Sequence, residues 1–223
     1  MHQSAVFSWI VLLLSTTFCG CKEAPEKAAR GGSGREAVAA EAPLVAFLGD
    51  SLSAGLHVDR DEAFPAILAR RFAARGKPFR LVNAGVSGDT SAGGLRRCDW
   101  VLAQKPAVVV VELGANDGLR GTKVADIEKN LAAIIDKVKA AGVRCLLLGM
   151  KLPPNYGADY ATDFEGIFAR VARSADVPIV PFLLDGVAGK PELNHVDGLH
   201  PTAAGHEILA DNVEPQLRRL LGD

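Results

Sequence analysis

Cysteine is scarce in this chain, and no run of like charge is long. Only four cysteines occur among the 223 residues, and two of them, Cys19 and Cys21, sit in the first apolar segment. Cys98 and Cys145 remain for the body of the protein. Neither has a partner at metal-site spacing, so no metal centre is expected. Export, argued below, would permit a disulfide. Cys145, however, lies inside the apolar run Val143 to Leu148, where a buried free thiol is ordinary, and no bridge is expected. No run of Lys or Arg is long enough to suggest nucleic acid, and a formal net charge of −1 gives no electrostatic reason to expect it. No internal repeat is visible. The first apolar stretch, Ala5 to Phe18, is too short for a comfortable membrane span.

That stretch reads instead as a signal peptide over residues 1–21, with Val11 to Leu14 at its centre and small residues around Gly20-Cys21. Its basic n-region is weak, with only His2. Phe18-Cys19-Gly20-Cys21 resembles a bacterial lipobox, although Phe18 replaces the usual aliphatic residue. Cys21 is therefore the lipidation candidate, and a lipid there would tether the protein to a membrane surface without spanning it. The expected location is the periplasmic face of a bacterial membrane as a lipoprotein, with a soluble periplasmic or secreted form as the alternative. Residues 22–42, rich in Ala, Gly and Glu and without apolar periodicity, read as a flexible linker. The remaining 43–223 are enough for one domain with a substantial core.

Apolar residues make up 48% of the chain, and their pattern alternates between two periods. Strand-like runs fall at 44–48, 79–83, 107–113, 143–149 and 178–182, with Val108 to Val111 the clearest. Helical patterns fall at 62–75, 91–104, 122–141, 161–175 and 202–221. In the third of these, Ile127, Leu131, Ile134, Ile135 and Val138 recur at helical spacing, and Gly142 ends the pattern. Unbroken apolar strands suit a parallel sheet covered on both faces. The alternation predicts a three-layer α/β domain with right-handed crossovers around about five parallel strands.

Polar motifs follow these strands. Gly49-Asp50-Ser51-Leu52 follows the first, Asn83 to Thr90 the second, and Gly114-Ala115-Asn116-Asp117-Gly118 the third. In a parallel sheet these segments share one edge, where open α/β sheets bind ligands. Asp197-Gly198-Leu199-His200, just before the last helix, can reach the same edge. Ser51 is the candidate nucleophile, and a serine hydroxyl needs an adjacent base. The imidazole of His200 can take and return that proton. Asp197, three residues earlier, can accept from the far ring nitrogen and hold the tautomer. The N–H groups of Ser51 and Gly88 and the side-chain amide of Asn116 are candidate donors to a developing oxyanion.

Together these four segments look like the SGNH (GDSL) hydrolase family, with Ser51, Gly88, Asn116 and His200 at the four positions that give the family its name and Asp197 at its acid. The resemblance runs from Pro43 onward. Asn83 to Thr90, Leu113 to Gly118 and Pro153 to Gly157 are similar to its bacterial thioesterase, lysophospholipase and arylesterase branch. It implies a flavodoxin-like sheet, no metal or cofactor, and hydrolysis of acyl esters or thioesters through an acyl-enzyme on Ser51, with a small-molecule substrate.

Other readings of single residues stand beside this one. Ser51 could cap a helix. Asp50, Asp89 and Asp117 are expected to brace loops through backbone N–H groups, and Gly85 and Gly114 to serve turns. His57 and His195 fall in loops and His206 on the last helix, with His195 a distant alternative base. Pro153 to Gly157 is either a substrate-facing loop or a stiff turn. Two other functions share the framework: a carbohydrate O-acetylesterase using the same residues in an open polar groove, and a phosphate-binding flavodoxin-like module.

Overall fold

The computed structural model describes residues 42–222. The expected leader, Cys21 and all but the last residue of the expected linker lie outside the described residues.

Five parallel strands form one sheet: β1 (Leu44–Gly49), β2 (Arg80–Gly85), β3 (Val108–Glu112), β4 (Arg144–Leu148) and β5 (Ile179–Val180), in the order β2-β1-β3-β4-β5. That order is the flavodoxin-like one, and its switch point falls between β1 and β3. Every residue of β1 and β3 is buried, as expected of strands covered on both faces. The helices are α1 (Ser51–Ala54), α2 (Phe64–Ala74), α3 (Ser91–Ala103), α4 (Ala115–Leu119), α5 (Val124–Ala140), α6 (Ala158–Ala175) and α7 (Ala203–Leu221). α2 packs on α7, while α3, α5 and α6 pack in a row, which gives the three layers. The five apolar residues predicted to line α5 are all buried. Cys98 and Cys145 are buried free thiols, and burial pushes the Cys145 thiol up to about 12. No helix among the described residues is long and apolar enough to cross a membrane.

Three features differ from the sequence expectation. β2 continues to Gly85 because its pairing with β1 runs on to Gly49, past the point where Asn83 breaks the apolar run. β5 shrinks to two residues between Pro178 and Pro181, neither of which can donate to a ladder. The one-turn helices α1 and α4 leave no periodicity to detect. Both stand at the carboxyl edge of the sheet, and both carry residues of the site.

Candidate active site

Ser51 opens α1 directly after β1. The helix forms there because Asp50 accepts the Leu52 N–H at 3.0 Å as its N-cap, and Gly55 closes it with a left-handed backbone (φ 73°). Gly49 and Gly85 lie opposite each other in the β1–β2 register. A Cβ at Gly85 would stand 2.3 Å from the Ala54 nitrogen, and one at Gly49 would stand 2.1 Å from Ser53 Oγ. The two glycines let α1 settle onto the strand ends. Gly85 is thus the last residue of a strand rather than a turn residue; what requires glycine is the backbone packed on it.

The Asp197–His200 segment is a tight loop. The N–H of His195 donates to the His200 carbonyl at 2.8 Å, and that of Gly198 (φ 68°) to the His195 carbonyl at 2.8 Å. Asp197 Oδ1 accepts the N–H groups of Leu199 (2.9 Å) and His200 (3.0 Å), which leaves Oδ2 for the ring. His200 Nδ1 lies 2.8 Å from Asp197 Oδ2, and Nε2 lies 2.9 Å from Ser51 Oγ. With the Nδ1 proton donated to Asp197, Nε2 is free to accept from the serine hydroxyl. Burial would raise the Asp197 carboxyl, but the donors around it outweigh that and hold it well below the usual carboxylate range. His200, and not His195, makes the contact with Ser51.

Asn116 stands on the first turn of α4, which Gly114 enters with φ 111°. Its amide donates to Asp50 Oδ2 at 3.0 Å. Asp50 therefore does more than brace the backbone, since it also orients Asn116. Behind it, Glu112 Oε2 accepts the N–H of Asp50 (3.1 Å) and the N–H and Oγ–H of Ser53 (3.2 and 2.8 Å). Glu112 Oε1 is buried without a partner. Desolvation raises Asp50 to about 6 and Glu112 well above its ordinary value, and the charge of Asp50 pushes Glu112 further in the same direction. No motif in the sequence singles out Glu112. The available signal was a lone acid closing a run of four valines.

Gly88 lies on the loop after β2 with φ 78°, and its carbonyl accepts from Arg120 Nη2 at 2.9 Å. Asp117 on α4 accepts both the N–H (2.7 Å) and Oγ–H (2.8 Å) of Ser91. These bonds tie the Gly88 loop to the helix that carries Asn116. Asp89 accepts from its neighbour Thr90 and pairs with Arg97 at 2.7 Å. His206 is buried, accepts the Phe64 N–H at 3.3 Å, and is depressed to about 4 by burial and by the nearby His195 and His200.

A cavity of about 540 Å³ opens beside these groups. Ser51, Asn116 and His200 stand in its wall, and Gly88 does not. Leu119, Met150, Leu152, Phe182 and Leu184 make most of the remainder apolar. Pro153 reaches the lining, and Tyr156 donates to the Leu119 carbonyl at 3.2 Å, so the Pro153 to Gly157 stretch also buttresses α4.

Residues 47–208 match the GDSL-like lipase/acylhydrolase family. The chain is 46% identical over 183 residues to the esterase TesA of Pseudomonas aeruginosa, which covers 82% of this chain and 91% of that protein. It is 41% identical over 184 residues to thioesterase 1/protease 1/lysophospholipase L1 of Escherichia coli strain K12, covering 82% and 87%. The crystal structure of the psychrotrophic esterase EstA from Pseudoalteromonas sp., inhibited by monoethylphosphonate, superposes with a TM-score of 0.77 at 34% identity, covering 81% of this chain and 100% of that one.

Proposed function

Because the chain belongs to the GDSL-like lipase/acylhydrolase family and hydrolyses carboxylic esters, we propose that it does so through an acyl-enzyme on Ser51. The observation that carries this is the unbroken Ser51–His200–Asp197 hydrogen-bond chain, at 2.9 and 2.8 Å, beside an apolar cavity. Ser51 Oγ attacks the acyl carbonyl while His200 Nε2 takes its proton. Asp197 steadies the imidazolium. The Ser51 and Gly88 N–H groups and the Asn116 amide receive the oxyanion. His200 then protonates the departing alcohol or thiol, and water, activated by the same ring, releases the acid.

The apolar lining supports an acyl chain as the bound portion, in place of the polar groove an acetylated polysaccharide would need. The names of the relatives extend the substrates to thioesters, lysophospholipids and aryl esters. The apolar stretch Ala5 to Phe18 with Cys21 after it supports a leader over 1–21, export and a lipid tether, and the composition of 22–42 supports a linker, with 43–223 as the hydrolytic domain.

Ser51→Ala tests the mechanism on a series of p-nitrophenyl esters, with a fluorophosphonate probe as second readout. Turnover is expected to collapse, and labelling to vanish in Ser51→Ala and to weaken strongly in His200→Ala. Retention of most of the wild-type turnover in Ser51→Ala overturns the assignment.

A further inference from the structure

His57 stands beside Asp197, and no step of the reaction uses it. Its Nε2 lies 3.7 Å from Asp197 Oδ2, the oxygen that His200 Nδ1 approaches at 2.8 Å. The three ligand atoms all lie within 4.8 Å of one another. We propose that His57, Asp197 and His200 form an inhibitory site for a borderline divalent cation such as zinc, one that shuts the esterase off reversibly. The proposal rests on the reading of His200 as the base for Ser51.

The geometry suits such an ion. Ligands bound at about 2.0–2.1 Å in a tetrahedral shell stand roughly 3.3 Å apart, and the observed 2.8 and 3.7 Å lie on either side of that spacing. Two imidazoles and one carboxylate suit zinc or copper, whereas calcium and magnesium take oxygen ligands. Half of the His57 side-chain surface is exposed, so water can fill the fourth position.

His57 is also held in place. The Leu56 N–H donates to the Ser51 carbonyl at 3.0 Å and the Val58 N–H to the Gly55 carbonyl at 3.2 Å, which fastens the 55–58 turn to the turn that bears Ser51. His57 itself adopts φ 74°, a left-handed backbone uncommon outside glycine. Its ring packs against those of His195 and His200 at centroid distances of 5.2 and 5.6 Å.

The inhibition follows from tautomers. In the resting site the His200 proton sits on Nδ1 and Nε2 accepts from Ser51. An ion on Nδ1 requires that lone pair, so the proton moves to Nε2. The serine then faces an N–H donor and has no base. No bond to Ser51 forms, and a chelator restores the resting tautomer.

The test is zinc titration of the full chain, read both as ester turnover and as heat of binding, with wild type, Ser51→Ala and His57→Asn. Asparagine tolerates the left-handed backbone at 57 and is a poor zinc ligand. Expected are saturable inhibition of wild type reversed by EDTA, no inhibition by magnesium or calcium, and unchanged basal turnover in His57→Asn. Zinc affinity should fall in His57→Asn by more than about 10-fold, at least the loss that follows removal of an outer-shell partner. Ser51→Ala should bind zinc like wild type although it is inactive, which separates this site from the mechanism: an active Ser51→Ala sinks the mechanism, not the site. The metal proposal is overturned if wild type shows no saturable zinc site, if His57→Asn binds zinc undiminished, or if bound zinc leaves turnover untouched.

Discussion

At the scale of single residues, the site depends on which oxygen each acid offers to which donor. Asp197 gives one oxygen to two backbone N–H groups and the other to His200. Asp50 likewise gives one oxygen to the Leu52 N–H and the other to the Asn116 amide. Each carboxylate fixes its own loop and aims a second group with what is left. Asp50→Asn separates these duties. The new side chain can still accept from Leu52 through its carbonyl, but its NH₂ then faces the Asn116 NH₂. Asn116 should rotate away and be lost as an oxyanion donor. Turnover should fall toward the roughly 10²–10³-fold cost of deleting such a donor, with KM little changed. Steady-state kinetics on an aryl ester decide it, and an unchanged kcat would show that Asp50 only caps α1.

At the scale of elements, the long pieces were readable and the short ones were not. The strands at β1, β3 and β4 and the helices α3, α5 and α7 announce themselves through apolar runs and helical spacing over five to nineteen residues. The motifs carrying Ser51, Asn116 and the Asp197–His200 pair could then be sent to one sheet edge by topology alone. α1 and α4 span four and five residues, too few for a period to repeat. Glu112 was invisible because its role depends on three donors from the β1–α1 turn. His57 was invisible because only the folded 55–58 turn brings it to Asp197. The least legible contact is the one between β2 and α1. A Cβ at Gly85 would meet the Ala54 nitrogen at 2.3 Å and the Ser53 carbonyl carbon at 2.8 Å, both backbone atoms that cannot swing aside. Gly85→Ala should therefore lift α1 and displace Ser51 from His200. Expected are a stability loss of about 1–3 kcal/mol, as for overpacking, and a fall in kcat larger than any rise in KM. Urea unfolding and kinetics on the same preparation check both halves; wild-type turnover would mean that α1 has slack.

At the scale of the whole molecule, buried titratable groups beneath the site make stability depend on pH in two opposed ways. His206 titrates at about 4 in the fold against an ordinary 6.5, so the native state binds fewer protons than the unfolded chain in that window, and stability is lost as pH falls from 6.5 to 4. Asp50, raised from 3.8 to about 6, works the other way, because the native state holds an extra proton and stability falls as pH rises between those values. Over the shared interval the two largely offset each other. Glu112, raised well above its ordinary 4.5 by burial and by Asp50 beside it, has the sign of Asp50: its contribution is full below 4.5 and declines as pH rises from there. Glu112 should thus add a downward slope to wild-type stability as pH rises above 4.5, of up to about 1.4 kcal/mol per pH unit for the one proton involved. Glu112→Gln keeps the shape and the acceptor for Asp50 and Ser53 but has no proton to release. Relative to wild type it should gain stability as pH rises, and the two curves should converge toward acid. Urea midpoints from acid to alkaline pH measure this directly. Parallel curves would mean that Glu112 ionises in the fold, leaving two adjacent buried carboxylates both charged beneath the loop that holds Ser51.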